Sequence, residues 1–293
     1  MITLTHALSY QLNNILLTFF LYSQSMNEYS YDRIAHIYDR TRPLPPEISE
    51  QIGDRILELV GATPETTFLE PGIGTGRTAL PIIKKGYDYT GLDASENMMQ
   101  ELRQKVQNID HKLTLIQGDA AALPFADNTF DVVLTTHILH LLPDWMAALT
   151  EIQRVLKPTG IYLACENLLT PHQLELENVL RGILERYNPA IPARREEGLK
   201  LAPFGENVKW MLIKRRATVE QIVAVQWQVE QTLGELLKIY EMRAFGLCWQ
   251  VSETDYKKAL QAFKSYCLET YKSEDFVLAS AASFEIVAAK NWG

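Results

Sequence analysis

Apolar and polar residues follow two alternating patterns between residues 46 and 166. Short, mostly apolar runs typical of buried strands are separated by stretches in which apolar residues recur every three or four positions, as on one face of a helix. Strands that alternate with helices predict a parallel sheet with helices packed on its faces. The predicted strands are Thr67–Glu70, Tyr87–Asp93, Leu113–Gln117, Phe130–Thr136 and Gly160–Cys165. The predicted helices are Pro46–Val60, Thr75–Lys85, Glu96–Asn108 and Pro143–Leu156.

This alternation stops at Thr170. A helix is predicted at Pro171–Tyr187, and several prolines then mark an irregular connection that reaches about Ile213. The remaining predicted elements are a half-buried strand at Thr218–Glu230, helices at Thr232–Ala244 and Thr254–Tyr271, and a last strand at Phe284–Ala289. The fold class is therefore α/β, with a seven-stranded, mostly parallel sheet. We expect a single domain over residues 26–293, in which insertions at about 170–213 and 232–271 form a helical cap.

The first 25 residues differ in composition from the rest of the chain. They contain no Lys or Arg, so the basic start of a signal peptide is absent. Gln11, Asn13 and Asn14 interrupt the apolar residues, and the segment is too short and polar for a membrane span. Met26 opens a sequence typical of the start of a cytosolic enzyme. We expect residues 1–25 to be an N-terminal extension that cofactor binding does not need, and the protein to be cytoplasmic without stable membrane insertion.

Charge and cysteine content narrow the classes of partner. A formal net charge of −8 and a pI near 5.4 argue against a nucleic-acid partner, because a phosphate backbone attracts basic surfaces. The cysteines Cys165, Cys248 and Cys267 are scattered and have no metal-ligand spacing. A reducing compartment without structural disulfides is the simple interpretation. No spacing of His, Asp or Glu suggests a metal site.

A glycine-rich turn after the first predicted strand carries the main chemical signal. The strand end and the turn read FLEPGIGTGR, in which Glu70 precedes Gly72, Gly74 and Gly76. Such a turn before a helix presents backbone N–H groups to a ligand. A dinucleotide site requires G-x-G-x-x-G, but Arg77 stands at the position of its third glycine. The Glu70 carboxylate would also repel a pyrophosphate and attract an ammonium group.

Acidic residues also end the next two strands. Asp93 follows Gly72 by 21 residues, a spacing that suits a carboxylate accepting hydrogen bonds from ribose hydroxyls. A nicotinamide dinucleotide site would use the same residue, so Asp93 indicates a nucleoside without identifying it. Asp119 follows the third strand. Ligands of parallel sheets bind at the carboxyl ends of the strands, where the polar groups are Glu70, Asp93, Asp119, Thr135–His137 and Glu166.

The order of these segments resembles that of class I S-adenosylmethionine-dependent methyltransferases. The pattern E-x-G-x-G-x-G is similar to their motif I, and Phe130–Leu134 and Leu156–Gly160 resemble their fourth strand and the turn before the fifth. The likeness covers about Tyr29–Glu166, and this core resembles that of small-molecule enzymes of ubiquinone and menaquinone biosynthesis. It implies a Rossmann-like fold and S-adenosylmethionine as cofactor. The cofactor contacts that it implies are Glu70, Gly72, Gly74, Gly76, Asp93, Ala94, Asp119, Ala120 and Thr135.

The resemblance also suggests where the methyl acceptor binds. In the family, the N-terminal segment folds over the pocket, so Tyr31, Tyr38 and Arg42 are candidates to contact the cofactor carboxylate or the acceptor, as is Glu166 at the end of the fifth strand. An amphipathic helix packed on the sheet would explain the aromatic residues equally well. His137 is the candidate catalytic residue, for a polar contact near the transferred methyl group. A histidine bonded to the backbone is the more common arrangement.

The cap insertions contain Trp210, Met211, Phe245 and Trp249, which could line an apolar acceptor pocket or simply pack the insertions onto the core. The sequence thus predicts in-line methyl transfer to a small, apolar or aromatic molecule, which needs no dedicated nucleophile. Two alternatives remain: a non-catalytic S-adenosylmethionine-binding regulator, and a nicotinamide-dependent oxidoreductase. The sequence makes no prediction of the oligomeric state.

Overall fold

The computed structural model describes residues 31–168, 170–189, 191 and 204–292. The predicted extension at residues 1–25 and most of the proline-rich connection lie outside these residues. Among the helices of the described ranges, none combines the length and the apolar content needed to cross a bilayer.

Seven strands form one sheet, as the sequence predicts. In chain order they are β1 (Thr67–Pro71), β2 (Asp88–Asp93), β3 (Lys112–Gln117), β4 (Phe130–Thr136), β5 (Leu156–Leu168), β6 (Thr218–Thr232) and β7 (Val277–Lys290). Their spatial order is β3-β2-β1-β4-β5-β7-β6. Strand β7 lies between β5 and β6 and runs in the direction opposite to the other six strands. The order changes direction at β1, so the crevice beyond the end of β1 lies between β2 and β3 on one side and β4 and β5 on the other.

Nine α-helices are described. They are α1 (Tyr38–Thr41), α2 (Pro46–Val60), α3 (Ala79–Lys84), α4 (Glu96–Val106), α5 (Trp145–Val155), α6 (Pro171–Leu184), α7 (Phe204–Lys214), α8 (Leu233–Glu241) and α9 (Glu253–Tyr271). Local sequence signals define several ends. Gly61 ends α2 in the left-handed conformation with a φ of 61°. The Ser95 hydroxyl begins α4 by accepting a hydrogen bond of 3.1 Å from the Met98 amide.

Several boundaries differ from the sequence prediction. Helix α3 begins at Ala79 rather than Thr75, because the glycine turn extends through Gly76. Strand β5 begins at Leu156, where it pairs with Phe130 of β4. Strands β6 and β7 are also longer than predicted, since each pairs with the other along its length.

Two helical segments also depart from the prediction. The N-terminal aromatic residues Tyr31 and Tyr38 do not lie on a single amphipathic helix, the alternative that the sequence offered. They lie on two short 3-10 turns, Tyr31–Arg33 and Ala35–Ile37, followed by α1. Helix α7 occupies a segment that was predicted to be irregular. Its residues Val208 and Leu212 are buried against the sheet, so tertiary packing stabilises a helix in this proline-flanked region.

Three hydrophobic clusters hold the fold together. Neighbouring residues of β1 belong to opposite faces of the sheet: Phe68 packs with α2, α3 and α4, whereas Leu69 packs with α5 and α7. The third cluster, which we call the cap core, joins α6, α8 and α9 to the N-terminal segment through Ile34 and Ile37. Helices α6, α8 and α9 therefore pack as one unit with the N-terminal segment, and their role as a cap over the site stays a prediction.

The cap core predicts a specific loss of stability. Phe263 of α9 is fully buried, and its ring lies 5.1 Å from that of Tyr240 in an edge-on arrangement. Phe263→Ala should lower the free energy of unfolding by about 3–5 kcal/mol, because it removes buried apolar area and leaves a cavity. Urea unfolding measures this change. Tyr266→Ala, at an exposed position of the same helix, is the matched control, and an equal loss in both variants would contradict the packing described.

Candidate active site

The glycine turn after β1 adopts a backbone that requires glycine. Gly72, Gly74 and Gly76 have φ values of 77°, 54° and 72°, in the left-handed region. A Cβ atom at Gly72 would lie 2.1 Å from Cδ1 of Ile138, and one at Gly76 would lie 2.5 Å from Cδ1 of Leu102. The turn is thus held between the loop after β4 and helix α4.

Glu70 is an acid buried at the end of β1. Its side chain accepts a hydrogen bond of 2.7 Å from the Tyr89 hydroxyl and one of 3.0 Å from the Thr136 hydroxyl. Burial, with a smaller contribution from the nearby charge of Asp93, raises the pKa of Glu70 to about 7, although these two hydrogen bonds act in the opposite direction. The carboxyl group therefore holds its proton to a higher pH than an ordinary glutamate.

Asp93 joins β2 to the glycine turn. One carboxylate oxygen accepts a hydrogen bond of 2.8 Å from the Gly74 amide, and the other accepts one of 2.8 Å from the Ser95 amide. Burial raises the pKa of Asp93, while these backbone hydrogen bonds act in the opposite direction. The carboxylate consequently has a fixed orientation beside the turn.

These groups line a cavity of about 750 Å³ at the carboxyl ends of the strands. Most of the residues that the sequence singles out are in its wall. They are Tyr31, Tyr38, Glu70, Gly72, Gly74, Asp93, Ala94, Asp119, Ala120 and His137. The structure therefore gathers in one wall residues from four strand ends and from the N-terminal segment.

Four of the candidate residues lie outside this lining. Gly76 packs against helix α4, as described above. Thr135 is buried, and its hydroxyl is hydrogen-bonded to that of Tyr162 at 2.8 Å. Arg42 donates a hydrogen bond of 2.8 Å to the Ala244 carbonyl in the cap. Glu166 lies in β5 opposite Glu285 of β7, away from the lining. The side chains of Thr135 and Arg42 thus connect elements of the fold in this structure.

His137 is in the wall and is also bonded to the backbone. Its Nε2 atom accepts a hydrogen bond of 2.7 Å from the Asn167 amide, and its own φ is 55°. Burial lowers the pKa of His137 to about 3, with smaller contributions from His140 and Arg77. The ring is therefore neutral, and Nε2 is engaged in fixing β5 to the end of β4.

The N-terminal segment closes one side of the cavity. The Thr75 hydroxyl donates a hydrogen bond of 2.6 Å to Asp39, which also forms an ion pair with Lys105. On its other side, the Tyr31 ring packs edge-on against that of Trp249 at 5.5 Å. The segment thus lies between the glycine turn and the cap core.

The four residues of the insertions that could line an acceptor pocket pack elsewhere, as the packing alternative describes, or are exposed. Trp249 is buried in the cap core and Phe245 packs against that core, Met211 packs on the sheet, and Trp210 is exposed. Apolar residues of the cavity wall come from other elements and include Leu44, Ile138, Leu141, Leu142 and Phe284. The sequence holds no periodic signal that would bring these five together, because they lie on two separate loops and on β7.

The wall contains further polar residues that the sequence analysis did not assign as cofactor or acceptor contacts. They are Thr75, Thr78, Ser95, Gln117, Thr136, Asn167 and Arg77. Thr136 lies in the strand end Thr135–His137 that the sequence singles out, and Asn167 directly follows Glu166 in β5. Arg77 directly follows the glycine motif, so adjacency to the motif was the available signal.

Comparison with known proteins places this site in a recognised domain. A family described as a methyltransferase domain matches residues 69–164, which include the glycine turn and the strand ends. A demethylmenaquinone methyltransferase of Listeria welshimeri is 49% identical over 84 residues, which are 28% of this chain and 35% of the relative. One from Staphylococcus aureus is 36% identical over 115 residues, or 38% of this chain and 47% of the relative. The chain thus spans less than half the length of these curated relatives.

Solved structures share the fold. The YcgJ protein of Bacillus subtilis aligns with 82% of this chain and 97% of its own, at 18% identity and a TM-score of 0.53. Phosphoethanolamine N-methyltransferase 2 of Haemonchus contortus, solved with S-adenosyl-L-methionine, covers 92% of this chain and 59% of its own, at 18% identity and a TM-score of 0.50. The chain resembles class I S-adenosylmethionine-dependent methyltransferases, and the matched domain supports S-adenosylmethionine as the cofactor.

The pKa of Glu70 predicts a pH dependence of stability. Its folded-state pKa of about 7 lies above the ordinary value of 4.5, so the folded chain binds this proton more tightly than the unfolded chain. Raising the pH from 4.5 through about 7 removes this proton from the folded chain. The contribution of Glu70 to the free energy of unfolding then falls by on the order of 3 kcal/mol. Glu70→Gln should abolish that fall.

Urea unfolding between pH 5 and pH 8 tests this prediction, with Glu58→Gln at an exposed position of α2 as control. The difference in unfolding free energy between wild type and Glu70→Gln should change with pH. A difference that stays constant over the interval would contradict the raised pKa.

Proposed function

We propose that this chain is an S-adenosylmethionine-dependent methyltransferase that acts on a small molecule. The observation that carries the proposal is the Asp93 carboxylate, held beside the glycine turn by the Gly74 amide in the wall of the cavity. A rigid carboxylate at the end of the second strand suits a ribose with two hydroxyl groups. The matched methyltransferase domain includes both residues.

The residues in the wall fit this cofactor. Asp93 and Ala94 would hold the ribose, Asp119 and Ala120 the adenine, and the turn at Gly72 and Gly74 the amino-acid end. Glu70 and Asp93 add negative potential near the turn, which favours a sulfonium and an ammonium group. The same carboxylates disfavour the pyrophosphate of a nicotinamide dinucleotide, so an oxidoreductase is the weaker proposal.

The residues of the chain would contribute mainly by positioning and by exclusion of water. When bound, the cofactor supplies a methyl group already activated by the sulfonium, which an acceptor takes by in-line displacement. The N-terminal segment, held by Asp39 and Trp249, would cover the reactants. His137 is poorly suited to remove a proton, because its pKa is lowered to about 3.

The acceptor is proposed to be mostly apolar or aromatic. Leu44, Ile138 and Phe284 form part of an apolar wall that suits such a molecule. The curated relatives are demethylmenaquinone methyltransferases, so a quinone-related ring belongs among the acceptors to test. The aromatic residues of the insertions are not in the lining. The insertions are therefore proposed to support this site indirectly, because the cap core packs against the N-terminal segment that closes the cavity.

Asp93→Ala should weaken binding of S-adenosylmethionine by about 1–3 kcal/mol, because the ribose hydroxyls would lose their acceptor. Titration calorimetry measures the change. Asp88→Ala, at the exposed start of the same strand, is the matched control and should bind normally. Unchanged affinity in a folded Asp93→Ala protein would remove the assigned role of Asp93.

Methylation assays with labelled S-adenosylmethionine test the acceptor class. Small quinones, phenols, lipids, peptides and tRNA should be compared, and we expect transfer to a small apolar or aromatic molecule. Transfer to tRNA or peptides alone would contradict the acceptor proposal and leave the cofactor proposal intact.

Mass spectrometry of nucleoside that co-purifies with the protein provides a second test. Co-purified S-adenosylmethionine in a protein that methylates none of these acceptor classes would favour the non-catalytic alternative. Co-purified NAD would favour the oxidoreductase.

A further inference from the structure

Asn167 lies in the cavity wall near the end of β5. Its backbone amide donates a hydrogen bond of 2.7 Å to Nε2 of His137, which fixes the backbone at this point. In the pairing of β5 with β7, Asn167 is opposite Phe284, and the side chains of opposed residues lie on the same face of a sheet. Phe284 also lines the cavity, so the two residues contribute neighbouring parts of one wall.

The side-chain oxygen of Asn167 is buried and has no hydrogen-bond partner among the residues that the structure describes. Such an atom raises the free energy of the folded chain, because it has lost its contact with water and gained nothing in return. Arg181, Gln250 and Trp292 each have a buried side-chain nitrogen in the same condition, but none of the three is in the cavity lining. Asn167 therefore combines an unsatisfied carboxamide oxygen with a position in the wall.

The polar groups beside Asn167 are engaged elsewhere. Nε2 of His137 already accepts the backbone amide of Asn167, and the Thr136 hydroxyl donates a hydrogen bond of 3.0 Å to Glu70. The opposed residue on β7, Phe284, has an apolar side chain. A molecule bound in the cavity is therefore the source of a partner that the surroundings of Asn167 leave open.

Asn167 is separated from the residues assigned to the nucleoside. In the sheet, β4 lies between β1 and β5, and neighbouring strands are about 4.8 Å apart, so β5 is about 10 Å from the strand that carries the glycine turn. Asp93 and Asp119 follow β2 and β3, on the far side of β1. A ligand group at Asn167 thus belongs to the part of the cavity that the proposed function leaves to the methyl acceptor.

The chemistry of a carboxamide limits the group that it recognises. Its oxygen accepts a hydrogen bond and its NH2 group donates, and a rotation of the side chain exchanges the two ends with little change of shape. A hydroxyl group both donates and accepts, so it can pair with either end. The carboxamide is uncharged, and it lies in a wall with Ile138 and Phe284, which suits a neutral, mostly apolar ring that carries such a hydroxyl.

We propose that the Asn167 carboxamide forms a hydrogen bond with a hydroxyl group on the ring of the methyl acceptor and so selects hydroxylated rings. The proposal rests on the proposed function and identifies the polar group that an otherwise apolar acceptor carries. Selection arises because a ring without the hydroxyl leaves the carboxamide unpaired in the closed cavity. Asn167 is then a specificity-determining residue, with no part in proton transfer.

Titration calorimetry with saturating S-adenosylhomocysteine tests this pairing without turnover. The probes are 1-naphthol, which carries a ring hydroxyl, and 1-methylnaphthalene, which has a methyl group of similar size in its place. Wild type should bind 1-naphthol about five- to hundredfold more tightly than 1-methylnaphthalene, and Asn167→Leu should lose most of this preference. Asn108→Leu, the same substitution at an exposed position, is the matched control and should retain the preference.

Asn167→Leu should also be at least as stable as wild type in urea and bind S-adenosylhomocysteine normally, because Oδ1 has no partner to lose. Wild type that binds the two naphthalenes equally, or binds neither, would overturn the proposal. An unchanged preference in Asn167→Leu would overturn it as well. So would a variant in which stability and both naphthalene affinities fall together, since that result indicates a structural role. Wild type that does not bind S-adenosylhomocysteine would instead contradict the proposed function.

Discussion

The hydrogen bonds of the Asp93 carboxylate to two backbone amides hold the site together. They connect the end of β2 to the glycine turn at Gly74 and to the start of α4 at Ser95. Because each of the two carboxylate oxygens of Asp93 accepts one of these hydrogen bonds, β2, the glycine turn and α4 are fixed relative to each other. They meet at the point where the strand order changes direction. The left-handed glycines make this possible, since they let the turn approach both the carboxylate and the side chain of Ile138.

The cavity has acidic and basic regions that follow from this arrangement. Glu70 is buried and Asp93 is half-buried beside the turn, and the charge of Asp93 adds to the effect of burial in raising the pKa of Glu70. Arg77 introduces a cation in the same wall, with Tyr38 as its neighbour from the N-terminal segment. A zwitterionic or sulfonium-bearing ligand could complement both regions, whereas a pyrophosphate would meet the carboxylates.

The N-terminal segment connects this site to the cap. Residues 31–41 contact the glycine turn through Asp39 and contribute Ile34 and Ile37 to the cap core. Trp249 of the cap core packs against Tyr31, and Tyr31 is in the cavity wall, so the N-terminal segment contacts both the cap core and the cavity.

The sequence alone determined the seven strands, the mostly parallel sheet and the acids at the strand ends, because these depend on short-range periodicity and on residues adjacent to strands. Local signals also located the glycine turn and the start of α4 at Glu96. Only the tertiary structure decided which neighbours of those acids face the cavity: Thr136 and Arg77 do, whereas Thr135 bonds to Tyr162. It also decided that helix α7 forms and that Phe284 joins an apolar wall with Leu44, since contacts between distant segments leave no periodic trace in the chain.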